Sequence, residues 1–449
     1  MTFVIKYGIN LIPALLTGKI FKKPSLFYKL GGRDTISFAL FLSTFISIYK
    51  GVLCGLRRMR NKSDSLNSLL AGSAAGVSLM LDSNNSRRRM IALYLSTRTC
   101  HFMSRGIWRY FVGTLNFIKC LEIPSSKLVT IDSETVKNEN SHLEIKIQEE
   151  KRRKWNEKVR GIIRQLSAGV LMMLSSGQII YSFCCEPESL PKSYFSFLLT
   201  HSNLREVYGH SKAKNIMQLI TNIINSNAKS TRYISDSEDL NYSLDPSMPV
   251  KDLTELHMRS PAHDFALCSV QHPHRDYCLH SFADCLIAEF QRGIYLYAPL
   301  NLLMYIVFKS KRFLEDPVAS GSRIIFSTLR SAIFLTAYVS CAWSSSCAFR
   351  KLFGIDKPSR YFLSGFLAGS AVFIEVPGRR LELALYCLPR AVEAAWNCAV
   401  KWGYWDHFWG GETLYFSIAS GILMSLYQHD PESIHDGYRK VMIRLIGVN

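Results

Sequence analysis

A run of histidine and cysteine side chains precedes the last apolar third of the chain. It comprises His272, His274, Cys278, His280 and Cys285. Imidazole and thiolate groups at short spacing are the ligands that zinc prefers in proteins. The spacings of 2, 4, 2 and 5 residues match no standard zinc finger, and no pair of C-x-x-C elements is present. The sequence therefore assigns no metal and no cofactor, and the five side chains remain candidate metal ligands only.

Ionisable side chains interrupt two apolar segments of the chain. Arg98 and His101 are three residues apart, as are Arg390 and Glu393, so each pair lies on one helix face. Glu382 lies three helical turns before Glu393, on nearly the same face. Ionisable groups are costly in hydrocarbon and normally face a bundle interior or a wet cavity. We predict an intramembrane polar face that either lines a cavity for a polar or amphipathic substrate or forms structural ion pairs.

Two short segments rich in alanine and serine carry glycines four residues apart. These glycines are Gly72 with Gly76, and Gly365 with Gly369. Small residues at this spacing let two helix backbones approach closely. The pattern predicts helix packing, either inside one bundle or against a partner subunit.

The elements that must position these residues are apolar blocks. The 449 residues are 48% hydrophobic and only 20% charged, whereas soluble proteins carry about 25% charge. The blocks approach the roughly 20 residues that a membrane-spanning helix needs. They predict an all-α polytopic membrane protein with segments near 3–21, 35–54, 66–81, 90–108, 166–185, 286–308, 327–348, 361–376, 380–400 and 413–428.

The net charge of +19 comes mostly from Lys and Arg in the loops that flank these blocks. Basic residues at such places meet anionic lipid headgroups. The lipid bilayer is therefore the predicted partner, and nucleic acid is not, because no nucleic-acid-binding motif is present. The chain has no G-x-S-x-G motif, no P-loop and no G-x-G-x-x-G motif that follows a strand. We predict that it is not an enzyme.

Two parts of the chain resemble each other. Leu70–Ala74 recurs as Leu367–Ala371, and 176–194 matches 420–438 without gaps at a constant offset of 244. The order of the matches is kept, which predicts a tandem duplication of helix bundles with four to five membrane segments each. If five segments span the membrane the copies are inverted, and if four do they are parallel. The predicted domains are a first membrane repeat 1–201 with a charged insertion 109–165, a polar and partly disordered linker 202–271, a His/Cys-rich lead-in 272–285 and a second membrane repeat 286–449.

Several short motifs resemble the transmembrane protein 135 family. They are Ser47–Gly51, Leu70–Gly72 with Gly76, Tyr94–Ser96, the lead-in His272–Cys285 with Arg292, and Tyr297–Leu300. The resemblance implies a multipass protein of peroxisomal or mitochondrial membranes with roles in organelle dynamics and in fatty-acid or sterol handling. That family is itself similar to the inner-membrane protein-import translocase subunits, whose glycine-spaced helices form a small bundle with a lateral cavity.

These observations predict a non-enzymatic multipass protein of the peroxisomal membrane, the mitochondrial membrane or both, which handles lipids. Other proteins of the same membrane are further candidate partners. Two alternatives stay open. A protein-translocase-like subunit would turn its glycine-bearing helices toward a partner chain. A solute transporter would need inverted copies and a polar site near the bilayer midplane.

Overall fold

A computed structural model of the chain describes residues 32–121, 138–225, 265–353, 357–406, 408 and 410–447. Regular secondary structure in these ranges is helical, as the sequence predicts. The α-helices are α1 Arg33–Arg60, α2 Ser65–Gly76, α3 Asn85–Leu121, α4 Asn138–Cys185, α5 Lys192–His201, α6 Leu204–Asn225, α7 Ala266–Gln271, α8 Cys278–Glu315, α9 Pro317–Phe353, α10 Pro358–Gly369, α11 Pro377–Lys401, α12 Gly411–His429 and α13 Asp436–Ile446.

Short 3₁₀ helices follow four of these α-helices. Their bounds are Val77–Leu81, Pro187–Ser189, Ser370–Ile374 and Pro431–Ser433. Proline suits the first helical position because it has no N–H to leave unpaired there and its φ is already helical. It occupies that position in α9, α10, α11 and the two Pro-Glu-Ser turns.

Nine of the ten predicted membrane segments fall in described ranges, and all nine are helical. The segment near 3–21 lies outside the described residues. Within the part of the chain that the structure describes, three helices are long and apolar enough to cross a membrane, namely Arg33–Arg60, Gln165–Cys185 and Pro317–Phe353. The other helices in the described ranges do not combine the length, mean hydropathy and low charge of such a span.

The chain divides into two compact units. Unit 1 comprises 1–163 and 408–449, and unit 2 comprises 164–407. In unit 1, α12 packs against α2 and α3, while α1 packs against α2. Phe416 of α12 makes edge-to-face ring contacts with Phe41 and Phe45 of α1, at 5.7 and 5.9 Å between ring centres. These aromatic contacts anchor the core of unit 1.

In unit 2, α8 and α9 form a helical hairpin, α9 packs against α10, and the end of α4 lies against α10. Glu289 of α8 is fully buried. It contacts Nδ1 of His201 at 2.8 Å and forms an ion pair with Arg292, which also donates to Asn203 at 3.0 Å. A buried carboxylate needs such partners, so this network fixes the start of α6 to α8.

The order of elements in 33–201 recurs in 317–446. Each range has a long helix, a short helix that ends in a 3₁₀ turn, two further helices, a Pro-Glu-Ser turn and a final helix. The compact units do not follow the predicted repeat boundaries. Unit 1 joins α1–α3 to α12 and α13, and unit 2 joins the end of α4 and α5 to α9–α11. Unit 1 therefore combines α1–α3 of the first predicted repeat with the last two helices of the second. Unit 2 combines α8–α11 of the second predicted repeat with the last two helices of the first, together with α6 and α7.

The predicted polar linker 202–271 begins with a packed helix, α6. In α6, Met217, Ile220 and Ile224 are fully buried in the core of unit 2. Their spacing of three and four residues places them on one helix face. The serine- and asparagine-rich composition concealed this apolar stripe. The stretch 226–264 lies outside the described residues.

The charged insertion 109–165 also contains long helical stretches. Its first part is the end of α3, and its last part is the start of α4. The stretch 144–164, for which the alternating charges predict a surface helix, is helical and forms part of α4, which continues without a break into the apolar stretch that ends at Cys185.

Candidate functional site

The glycine pair of α2 lies in a close contact with α12 in unit 1. A Cβ placed on Gly72 would lie 2.8 Å from the carbonyl oxygen of Ser420 and 2.9 Å from Cα of Gly421, both in α12. A Cβ on Gly76 would lie 2.4 Å from Cα of Ser417. Such distances leave no room for a side chain, so these glycines set how closely α2 and α12 approach.

The matching pair in α10 serves the same purpose in unit 2. A Cβ on Gly365 would lie 2.4 Å from the carbonyl oxygen of Ser176, and one on Gly369 would lie 2.5 Å from Cα of Met173, both in α4. All four predicted packing glycines thus contact a helix of their own chain. In both units the partner is the fourth helix of the element order that recurs in 33–201 and 317–446, and it comes from the other predicted repeat.

Arg98 of α3 lies at the centre of a polar contact in unit 1. Its side chain is only 4% exposed, and its guanidinium carbon lies 5.1 Å from the ring centres of Tyr94 and Tyr438. The two tyrosine hydroxyls are 2.8 Å apart. Cation–π contact with two rings stabilises a buried guanidinium. We name Arg98, Tyr94 and Tyr438 the unit 1 arginine–tyrosine cluster.

Arg390 of α11 makes the corresponding contact in unit 2. Its guanidinium carbon lies 5.3 Å from the ring centre of Tyr194 in α5. It also donates to Oε2 of Glu393 at 3.0 Å, and Glu393 is 5% exposed. We name Arg390, Glu393 and Tyr194 the unit 2 arginine–tyrosine cluster. Tyr194 and Tyr438 are themselves a matched pair at the offset of 244.

A second polar contact recurs on the third helix of that element order. In unit 1, Arg109 of α3 binds Asp430 at 3.0 Å and Glu432 at 2.7 Å, next to the Pro-Glu-Ser turn.

In unit 2, Lys401 at the end of α11 binds Glu186 at 2.6 Å and lies 3.8 Å from Glu188. The hydrogen bond to Glu186 raises the pKa of Lys401. Each Pro-Glu-Ser turn is therefore fixed to the third helix of the other predicted repeat by ion pairs.

The remaining residues of the predicted polar face lie outside these contacts. His101 is half-buried, with its ring against Phe102 at 5.9 Å between ring centres. Glu382 is half-buried near the start of α11. The tyrosines were missed from the sequence because an aromatic side chain near a helix start is usually part of an apolar core, and only the matched positions Tyr194 and Tyr438 signal a shared role.

The histidine and cysteine residues of the lead-in separate into two groups. His272 and Cys278 come together with Cys268 and Cys347, and the candidate ligand atoms of these four residues lie within 4.8 Å of one another. His274 and His280 are exposed. The thiol of Cys285 is buried and lies 3.6 Å from the hydroxyl of Ser340. Local spacing could not reveal Cys347, because it is far from the lead-in along the chain.

No family model matches the chain, and no solved structure matches it. The assignment of function therefore depends on the geometry described above and on the resemblance in the sequence.

Proposed function

We propose that this chain is an integral membrane protein built from two helix bundles. The observation that carries the proposal is a set of apolar stripes on exposed helix faces. On the end of α4, Leu166, Val170 and Leu174 are exposed, although Ala168 and Met172 of the same helix are buried. A helix that is apolar on both its packed and its open face is typical of a membrane span.

Helix α9 has the same property. Ile325, Leu329 and Ile333 form an exposed stripe at four-residue spacing, whereas Ala332 and Phe334 are buried. Water contact along such stripes would be unfavourable by about 25 cal/mol per Å² of apolar surface, and lipid contact removes that cost.

The tandem duplication belongs to the same proposal. Two copies of one helix order, the matched glycines and the two arginine–tyrosine clusters all support it. Each proposed bundle combines helices of both copies, because the fourth helix of each copy packs in the bundle of the other copy.

The function that we propose is non-enzymatic handling of fatty acids or sterols in peroxisomal or mitochondrial membranes, linked to the dynamics of these organelles. Support comes from the resemblance to the transmembrane protein 135 family and from the buried arginines, because ionisable groups inside membrane bundles commonly mark a path for polar groups. The packing of all four glycines within one chain favours this proposal over a translocase-like subunit. A solute transporter would need a continuous polar path near the midplane.

Membrane integration is tested first by alkaline carbonate extraction of the full chain from isolated organelles. We expect the protein to stay in the pellet with integral markers of peroxisomes or mitochondria. Release into the supernatant with peripheral proteins would contradict the proposal.

Lipid handling is tested by replacing the native protein in cells with an Arg390→Ala variant. We expect an altered fatty-acid and sterol content of isolated organelles at normal protein abundance. The matched control is Arg323→Ala, which removes an exposed arginine of α9. Normal lipid content with Arg390→Ala at normal abundance would overturn the role of the cluster in lipid handling. A parallel fall in abundance and lipid effect would assign Arg390 a structural role only.

A further inference from the structure

Four side chains that could bind a metal converge at one end of the α8–α9 hairpin. Cys268 lies in α7, His272 directly follows α7, Cys278 begins α8 and Cys347 lies near the end of α9. Their ligand atoms all lie within 4.8 Å of one another. Three separate helices therefore supply one compact group of three thiols and one imidazole.

The distances fit a tetrahedral zinc site. With Zn–S near 2.3 Å and Zn–N near 2.0–2.1 Å, tetrahedral geometry places a ligating nitrogen about 3.6 Å from each ligating sulfur. Nε2 of His272 lies 3.7 Å from Sγ of Cys347. The separations of at most 4.8 Å within the group lie within about 1 Å of the spacing between ligands of such a site.

The histidine is already oriented as a ligand. Nδ1 of His272 lies 3.3 Å from the carbonyl oxygen of Arg275, so a proton on Nδ1 is donated to that carbonyl. Nε2 then carries the ring lone pair and lies 3.7 Å from Sγ of Cys347. Zinc-bound histidines usually donate their other ring N–H to a carbonyl or carboxylate in this way.

The surrounding charge suits three thiolates. A zinc ion with three thiolates and one neutral imidazole carries a single net negative charge. Arg350 is fully buried, and its Nη1 lies 3.4 Å from Sγ of Cys268 and 3.7 Å from Sγ of Cys347. The same nitrogen donates to Oε1 of Gln271 at 2.5 Å. The guanidinium is therefore placed to neutralise the site and to donate hydrogen bonds to two of its sulfurs.

We propose that Cys268, His272, Cys278 and Cys347 bind one zinc ion in a structural Cys₃His site. Binding replaces the three thiol protons with Zn²⁺ and releases them to solvent. The closed set of four protein ligands leaves no open position for a substrate, which is typical of structural zinc. The ion would fasten the short helix α7 to α8 and α9, a task that six helical residues could not perform alone.

The direct test measures zinc in the full-length protein, purified in detergent under reducing conditions without a polyhistidine tag. Elemental analysis should find about one zinc ion per chain. Replacement by Co²⁺ should produce the visible absorption of a tetrahedral cobalt–thiolate site. Both readouts use the wild-type chain, so neither depends on the folding of a variant.

Variants then assign the ligands. Cys347→Ser and His272→Ala should each lose most of the bound zinc, whereas His272→Cys should retain it as a four-thiolate site. Three matched controls come from the same region. His274→Ala and His280→Ala remove exposed histidines of the lead-in, and Cys285→Ser removes a buried thiol outside the cluster. All three should keep the wild-type zinc content.

Two results for the wild-type protein would overturn the proposal. One is zinc-free protein from zinc-supplemented cells that also fails to bind Co²⁺ as a reduced, folded chain. The other is a disulfide among Cys268, Cys278 and Cys347 in protein that was alkylated directly in cells, which would assign these thiols to redox chemistry. A zinc content that falls equally in the ligand variants and the controls would also contradict the site.

Discussion

The guanidinium carbon of Arg98 lies 5.1 Å from the ring centre of Tyr438, although the two residues belong to different predicted repeats. Arg390 and Tyr194 form the reciprocal contact at 5.3 Å. Each predicted repeat thus contributes the arginine of one cluster and the tyrosine of the other. The two contacts have the same residue types, the same helix order and nearly the same distance. The same packing of an arginine against a tyrosine therefore occurs in both units.

Replacing Tyr438 should separate the contribution of its ring from that of its hydroxyl. We expect Tyr438→Leu to destabilise the protein by about 2 kcal/mol or more, because a desolvated cation–π contact is lost. Tyr438→Phe keeps the ring and should cost only about 0.5–1.5 kcal/mol for the hydroxyl contact with Tyr94. Thermal unfolding in detergent measures both.

The control for this prediction is Tyr415→Leu, which alters an exposed tyrosine of α12. It should leave the melting temperature close to that of the wild type. Equal melting temperatures for Tyr438→Leu and Tyr415→Leu would show that the ring of Tyr438 contributes nothing to stability.

A pair of alanine substitutions tests the close approach of α2 and α12. Gly72→Ala should destabilise the protein by about 1–3 kcal/mol, because the new methyl group would overlap the backbone of α12. Gly55→Ala in α1 meets nothing within 4 Å. It should stabilise the protein by up to about 1 kcal/mol, because alanine favours a helix over glycine.

The two variants are compared by thermal unfolding of the purified full chain. Both substitutions improve helix propensity equally. Opposite shifts in melting temperature therefore measure the cost of the overlap between the new methyl group and α12. A stabilising shift for Gly72→Ala would contradict the described contact.

Helix positions could be predicted from the sequence, but the exchange between repeats could not. Hydrophobic blocks and glycine spacing act locally, so they located α1, α2 and α10 well. Local patterns do not determine which helix packs against each glycine-bearing helix. Gly72 and Gly369 lie in identical five-residue motifs, and their partner helices are also similar, so either pairing satisfies the same local pattern. Only the packing of the whole chain decides between them.

The complete four-residue metal cluster could not be predicted from the sequence, for a related reason. Zinc motifs are recognised by ligands at short spacing, and three of the four residues, Cys268, His272 and Cys278, satisfy that condition, although Cys268 was not among the predicted candidates. Cys347 reaches the cluster because α8 and α9 form a hairpin, which returns the chain to its starting end. A motif that is defined by short spacing cannot include a residue that a helical hairpin brings in from far along the chain. The fully buried Arg350, one turn after Cys347, is the signal that could have drawn attention to the region.

A pH-dependent contribution to stability is expected from the start of α2. Burial opposes ionisation of Asp64, but hydrogen bonds from the backbone N–H of Asn67 and from Arg60 prevail and lower the pKa of Asp64 from its usual value of 3.8. A carboxyl whose pKa is lower in the folded state stabilises the protein above its unfolded pKa. This contribution is lost as the pH falls through the folded pKa.

Asp64→Asn is the variant that tests this contribution, because asparagine keeps the helix N-cap and loses the charge. The wild type should melt at a higher temperature than the variant near neutral pH, and the difference should shrink as the pH falls below about 4. Asp276→Asn, which changes an exposed acid, is the control. A difference that is constant with pH would mean that ionisation of Asp64 does not stabilise the fold.

The most direct test of bundles shared between the two predicted repeats is cysteine cross-linking in native membranes. Arg109 contacts Glu432, and Lys401 lies 3.8 Å from Glu188. The four side chains are at least partly exposed, so a short bifunctional maleimide can reach them.

Cysteines are introduced pairwise at these positions in the full chain, and linked peptides are identified by mass spectrometry. We predict efficient linkage in the pairs Arg109→Cys with Glu432→Cys and Lys401→Cys with Glu188→Cys. Preferential linkage in the pairs Arg109→Cys with Glu188→Cys and Lys401→Cys with Glu432→Cys would place each fourth helix on its own repeat and contradict the exchange.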